Sequence, residues 1–128
     1  MPQGRLLVVD DEPALADLLR RYLERLGYFV EICASAEQAL ALADGVTPGD
    51  GNTTAFNLVI TDLTLDGING EELIDQLRTR IPDLPAILVS GYPHVPRSRN
   101  VEFLQKPFLP KMLAELLVQK LGESGSAA

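Results

Sequence analysis

Tryptophan is absent from this chain, and cysteine and histidine occur once each. Four phenylalanines and three tyrosines are the whole aromatic complement, so the core has to be aliphatic. A lone Cys33 rules out an internal disulfide framework and a cysteine-based zinc site, and it reads as a small buried thiol. His94 sits in a proline-rich stretch with no partner placed beside it, which reads as an exposed side chain and not as a phosphodonor or ligand. Positive charge is scarce too: 11 Lys and Arg face 18 Asp and Glu, a formal charge of −7. Without a basic stripe there is no footprint for nucleic acid, which needs clustered cations against phosphate. No apolar run is long enough to cross a membrane and no signal-peptide pattern is present, so the expected compartment is the cytoplasm.

What the chain does have is 46% hydrophobic residues in a length of 128, enough for one domain with a sizeable core. Five short apolar runs read as strands: RLLVV (5–9), YFVEI (28–32), NLVIT (57–61), AILVS (86–90) and VEFLQ (101–105). Helical spacing fills most of the intervals. Leu15, Leu18, Leu19, Tyr22, Leu23 and Leu26 recur along a helix that Pro13 opens and Gly27 ends. Ser35 with Gln38 reads as a capping box opening a helix to about Ala43. Residues 44–55 are rich in turn formers and read as a long exposed loop. Helices follow from Gly70 to about Arg80, with Leu73, Ile74 and Leu77 on one face, and from Pro110 to Leu121, with Met112, Leu113, Leu116 and Leu117. Strand alternating with helix, and strands that are apolar throughout, predict an α/β fold with a parallel sheet covered on both faces. The domain is expected over 1–122, with a frayed tail at 123–128 too short to bind DNA.

Parallel strands share a carboxyl edge, and that is where function gathers in such folds. The residues that follow the apolar runs are Asp10 and Asp11, Asp62, Ser90 and Lys106. Three carboxylates brought together cannot all stay ionised unless cations join them. Lys106 supplies one charge, and oxygen donors suit a hard divalent ion such as Mg²⁺ for the rest. A magnesium ion held by two or three carboxylates keeps open positions that favour a phosphoryl oxygen. Mg²⁺, Lys106 and the Ser90 hydroxyl would then bracket a phosphoryl group on a carboxylate, and Asp62 is the natural acceptor.

With these residues in view the sequence resembles the receiver domains of bacterial two-component signalling over about residues 4–121. The resemblance rests on VVDDE (8–12), VITDL (59–63), Gly70, LVSGY (88–92) and QKPF (105–108), in the family's order. It implies a doubly wound, flavodoxin-like sheet of strand order 2-1-3-4-5. It implies Asp62 as phosphoacceptor, Asp11, Asp62 and the Thr64 backbone carbonyl as Mg²⁺ ligands, and Asp10 acting through a coordinated water. Ser90 would hydrogen-bond the phosphoryl group, Lys106 would pair with it, and Phe103 matches the family's switch aromatic, although an aromatic in an apolar strand is core filler by default. Lys106–Pro107 resembles the family's cis peptide bond. Glu12 reads as a helix-start acid in the helix dipole. The implied partners are a histidine kinase or phosphotransfer protein and a downstream protein, with no nucleic acid and no membrane.

Two departures stand out. Leu65 is followed by Asp66 and Gly67 where the family usually has proline, and Asp66 reads as a solvated turn residue. Only GYPHVPRSRN (91–100) separates the fourth and fifth strands, and Pro93 and Pro96 cannot both sit inside a helix. The family's fourth helix is therefore expected to be missing or reduced to about one turn, with Arg97 and Arg99 on whatever replaces it. The leading function is a phosphorylation-dependent signalling module, not an enzyme with a turnover substrate, and the SGY and QKPF wording favours a receiver of a hybrid kinase. Rival readings are an unphosphorylated interaction module with the same fold, and an aspartyl-phosphate phosphatase that takes Asp62 and Asp66 as its acid pair. The phosphatase family spaces its second aspartate two residues from the nucleophile, whereas here the gap is four.

Overall fold

All five apolar runs form strands, and they lie parallel in one sheet of order β2-β1-β3-β4-β5. The computed structural model describes residues 4–45 and 56–122, so most of the expected 44–55 loop and the 123–128 tail lie outside the described residues. The elements are β1 (Arg5–Val9), α1 (Pro13–Arg25), β2 (Phe29–Cys33), α2 (Ala36–Asp44), β3 (Leu58–Asp62), α3 (Gly70–Arg80), β4 (Ala86–Ser90), β5 (Val101–Gln105) and α4 (Pro110–Leu121). β2 and β3 each start one residue later than the apolar runs suggest, because hydrogen-bond register and not hydrophobicity sets the ends of a strand.

Alternation along the strands divides the core into two layers. Leu7, Val9, Val59, Ala86 and Leu88 face α2 and α3, where Leu73, Ile74 and Leu77 are fully buried. Complete burial of each such side chain stabilises by about 1.5–3 kcal/mol. The buried residues that α2 contributes to this layer are alanines, Ala36, Ala39 and Ala43, with Leu40 partly buried beside them, which lets its backbone pack close to α3. On the other face Leu6, Val8, Leu58, Ile60, Ile87 and Val89 meet Leu19 and Leu23 of α1 and Leu113 and Leu117 of α4. Leu18 and Met112 fall outside this layer, 59% and 43% exposed, although both fit the helical apolar spacing. The spacing marks a stripe wider than the strip that the sheet can cover.

Local signals set the helix ends. The Ser35 hydroxyl accepts the Gln38 N–H at 3.2 Å, but Gln38 reaches back to the Ala34 N–H and not to Ser35 itself. α3 has a full capping box, Asn69 with Glu72, which fixes where the helix departs from the end of β3. Gly27 takes φ 106°, a left-handed value that lets the chain turn from α1 into β2.

Gly70 opens α3 directly behind the end of β3: its N–H donates to the Leu63 carbonyl at 2.7 Å. A Cβ at position 70 would collide with the Asp62 backbone carbonyl oxygen and crowd Leu88. No helix intervenes between β4 and β5. Residues 91–100 run as an extended strap ending in a turn, with Asn100 at φ 58° just before β5.

Two outcomes follow from this packing. Gly70→Ala should cost about 1–3 kcal/mol in denaturant unfolding, since the obstructing atom is backbone and cannot swing aside. Cys33 is 2% exposed and burial, with help from Glu31, pushes its thiol up to about 11. Iodoacetamide at pH 8 should label it about two orders of magnitude more slowly in the native protein than in urea, and comparable rates would show that β2 opens readily.

Candidate functional site

The register of the sheet brings the acids of distant segments together. Val9 stands beside Thr61, and Asp62 beside Val89, so the carboxyl ends of β1, β3 and β4 are level. The ladder extends one bond past the strands: Asp10 N–H donates to the Cys33 carbonyl at 3.0 Å, Leu63 N–H to Val89 at 2.8 Å and Lys106 N–H to Ser90 at 2.8 Å. Each site residue, or its direct neighbour, is therefore tied into the sheet by its own backbone. β1 lies between β2 and β3, so the crevice opens where the winding of the sheet reverses.

Three carboxylates converge there on one ammonium, with Asp11 beside them. Lys106 Nζ lies 3.1 Å from Asp62 Oδ2, 3.5 Å from Asp10 Oδ2 and 3.5 Å from Glu12 Oε1. Donor oxygens of Asp10, Asp11 and Asp62 all fall within 4.8 Å of one another. Asp10 is buried, Asp62 partly buried and Asp11 exposed, so the cluster grades from sheet edge to solvent. Burial raises the Asp10 carboxyl, with Asp62 and Glu12 adding to it, while the Glu12 backbone N–H at 2.8 Å and Lys106 oppose the rise. Burial would also lower the Lys106 ammonium. The Asp62 hydrogen bond and the fields of Asp10, Asp62 and Glu12 outweigh it, and the net direction is upward. One ammonium against these acids leaves negative charge unmatched, which is the environment a hard divalent cation fits.

The remaining predicted residues take these places. Thr64 is exposed beside the cluster, its N–H 3.4 Å from Asp62 Oδ1. Ser90 is 2% exposed and its Oγ accepts the Tyr92 N–H at 3.1 Å. Phe103 is half-buried against the α2–α3 layer. The Lys106–Pro107 bond is cis, as the resemblance implies. Asp66 is exposed before Gly67, φ 87°, and takes no part in the acid cluster, as a solvated turn residue should. Glu12 occupies the N-cap of α1 without capping through its side chain, and its carboxylate faces Lys106.

Sequence reasoning missed Glu71. This carboxylate is 3% exposed, at the second residue of α3, where it accepts the Arg97 N–H at 3.2 Å and pairs with His94 Nε2 at 2.7 Å. His94 is thus partnered and half-buried, a correction to its reading as a merely exposed residue. Arg97 reaches on to Asp75 at 3.1 Å, and so is committed within the molecule. The one legible signal was the spacing, Glu71 and Asp75 one turn apart opposite His94 and Arg97 three apart, and it has no meaning until the strap is known to lie along α3.

Comparison with known proteins agrees with this geometry. The model of the response regulator receiver domain matches residues 6–118. The chain is 34% identical over 112 residues to the C4-dicarboxylate transport transcriptional regulatory protein DctD of Pseudomonas aeruginosa, covering 83% of this chain and 22% of that one. It spans about a quarter of the length of this and other curated regulators it matches. The receiver domain of the hybrid histidine kinase CckA superposes with a TM-score of 0.78 at 35% identity, covering 92% of this chain and 99% of that one. The response regulator protein TrrA of Thermotoga maritima, solved in complex with Mg²⁺-BeF, gives a TM-score of 0.75 at 30% identity, covering 92% and 99%. No described helix is long and apolar enough to cross a membrane. The chain belongs to the response regulator receiver domain family of two-component systems.

Proposed function

We propose that this chain takes a phosphoryl group from a histidine kinase or phosphotransfer protein onto Asp62 in the cytoplasm, and that the product switches a protein-interaction face. The observation that carries the reading is the meeting of Asp62 with Lys106 at 3.1 Å beside Asp10 and Asp11. An oxygen of Asp62 attacks phosphorus, the O–P bond forms as the P–N bond of the donor phosphohistidine breaks, and the imidazole leaves with the bonding pair. Asp11, Asp62 and the Thr64 carbonyl would hold Mg²⁺, with Asp10 acting through one of its waters. When bound, the ion neutralises charge on the equatorial phosphoryl oxygens.

The chain's own groups do the rest. The Lys106 backbone is pinned at the sheet edge by its N–H to Ser90, and its ammonium is held beside the acceptor by Asp62 at 3.1 Å, which supports a charge partner placed in advance of the phosphoryl group. The Ser90 oxygen accepts the Tyr92 N–H, and a hydroxyl that accepts one bond can still donate its proton. That proton is the one that would bond the phosphoryl group, with Phe103 responding as the switch aromatic. The similarity to the receiver of a hybrid kinase supports a receiver of that type. Its catalysis is confined to its own phosphorylation and dephosphorylation.

Incubation with Mg²⁺ and acetyl phosphate should add one phosphoryl group to the intact mass, and Asp62→Asn should add none. Lys106→Ala should slow the addition by about 100-fold, the scale for loss of one preorganised charge partner. Removing Mg²⁺ with a chelator should abolish it. Absence of any adduct, with no response to beryllofluoride, would leave an unphosphorylated interaction module as the function.

A further inference from the structure

The strap at 91–100 is held at its end by Asn100, whose carbonyl takes Arg78 Nη2 at 3.2 Å and whose Oδ1 takes Lys120 Nζ at 2.6 Å, and before that at three points that have nothing to do with sheet pairing. Its start is tied to Ser90 by the Tyr92 N–H on Oγ at 3.1 Å. Its middle is tied to α3: Glu71 takes His94 at 2.7 Å and the Arg97 N–H at 3.2 and 3.3 Å, and Asp75 takes Arg97 Nη2 at 3.1 Å and Ser98 Oγ at 3.4 Å. The third point is the His94 ring, which stands against Phe103, centroids 6.3 Å apart and tilted by 55°. One short segment thus touches both side chains assigned to the switch, and its anchor is a carboxylate 3% exposed. A buried carboxylate is tolerated only when its oxygens are satisfied, so the strap and Glu71 hold each other in place. Tyr92 and Val95, 79% and 86% exposed, gain nothing from burial that would hold the strap down. The polar tie to α3 has to do that work.

We propose that Glu71 is a positioning residue which, through His94, latches the strap in the resting arrangement of Ser90 and Phe103, so that loading the acceptor works against the latch. The inference rests on the reading of Asp62 as phosphoacceptor. A shift of Ser90 Oγ toward Asp62 strains the Tyr92 N–H bond, and a turn of Phe103 alters its contact with the His94 ring. The latch coexists with Lys106 Nζ directly on the Asp62 carboxylate at 3.1 Å, the pairing of an unmodified acceptor. Cutting it therefore moves the two-state balance toward the loaded arrangement, and a ligand selective for that arrangement binds more tightly.

The experiment measures beryllofluoride affinity with Mg²⁺ by amide NMR, together with thermal unfolding, on the whole chain and on His94→Ala, Glu71→Ala and Glu71→Gln. In the wild type, beryllofluoride should shift the amides of Thr64, Ser90 and Lys106, and also those of Tyr92 and Arg97 in the strap. His94→Ala and Glu71→Ala should bind beryllofluoride about fivefold or more tightly, the lower end of ordinary coupling energies. Glu71→Gln, which can still accept the Arg97 N–H and bond His94, should stay near wild type. A purely structural role would lower the melting temperature of the alanine variants and leave this affinity order unmoved. If Thr64, Ser90 and Lys106 respond but the strap does not, or if the alanine variants bind equally or more weakly, the latch is refuted while the acceptor site stands. If no amide responds in any variant, the acceptor site fails and the latch fails with it.

Discussion

Lys106 is the one cation among four carboxylates drawn to a single edge of the sheet, and the molecule is arranged around that imbalance. Left alone, Asp10, Asp11, Glu12 and Asp62 would drive the ends of β1 and β3 apart. The fold opposes this with rigid geometry: two core layers clamp the strands from both sides, and the ladder bonds of Asp10, Leu63 and Lys106 fix the backbone at the point of greatest repulsion. The unfavourable field is what makes the site useful. A pocket with this surplus of negative charge is electrostatically incomplete, and a hard divalent cation is the kind of partner that completes it.

The helices divide the supporting work unequally. α1 and α4 fill one layer with leucines and behave as packing. α3 is more specialised, since Gly70 lets it start against the Asp62 carbonyl, Leu73, Ile74 and Leu77 seal the layer behind β3, and Glu71 and Asp75 hold the strap. β3 and the strap are thus referenced to the same helix. Asp66 and Gly67, which stand where a proline would stiffen the loop, sit in the β3–α3 connection between them.

Much of this was legible in the sequence because it rests on local chemistry. The five strands, the parallel sheet, the residues at the carboxyl ends of the strands and the missing helix follow from apolar runs, the order of elements and two prolines. Strand order needed the family resemblance, since apolar runs do not say which strand pairs with which. Leu18 and Met112 misled because helical periodicity shows which residues share a side, not how much of that side another element covers. Glu71, His94 and Arg97 were illegible for a different reason. Their pairing joins residues 23 and 26 apart through a segment with no periodicity, so no pattern links them until the path of the strap is known. Glu12 was read as an acid serving the helix dipole, and its approach to Lys106 depends on a lysine 94 positions later.

The strand order also governs how this chain can assemble. β1 is the central partner of both β2 and β3, yet it is synthesised first. Leu6 finds Val30 after 24 residues but Leu58 only after 52. Until β3 emerges, one long edge of β1 is bare, and the leucines and valines meant for both layers have only α1 and α2 to cover them. A β1-α1-β2-α2 fragment is therefore a half-sheet with an adhesive edge, and the non-local pairing of β3 covers that edge while passing the open position on to β4. The β1 ladder ends at Thr61, and Asp62, the last residue of β3, pairs only when β4 brings Val89 beside it, so Asp62 is fixed in the sheet one strand later than β1 is covered.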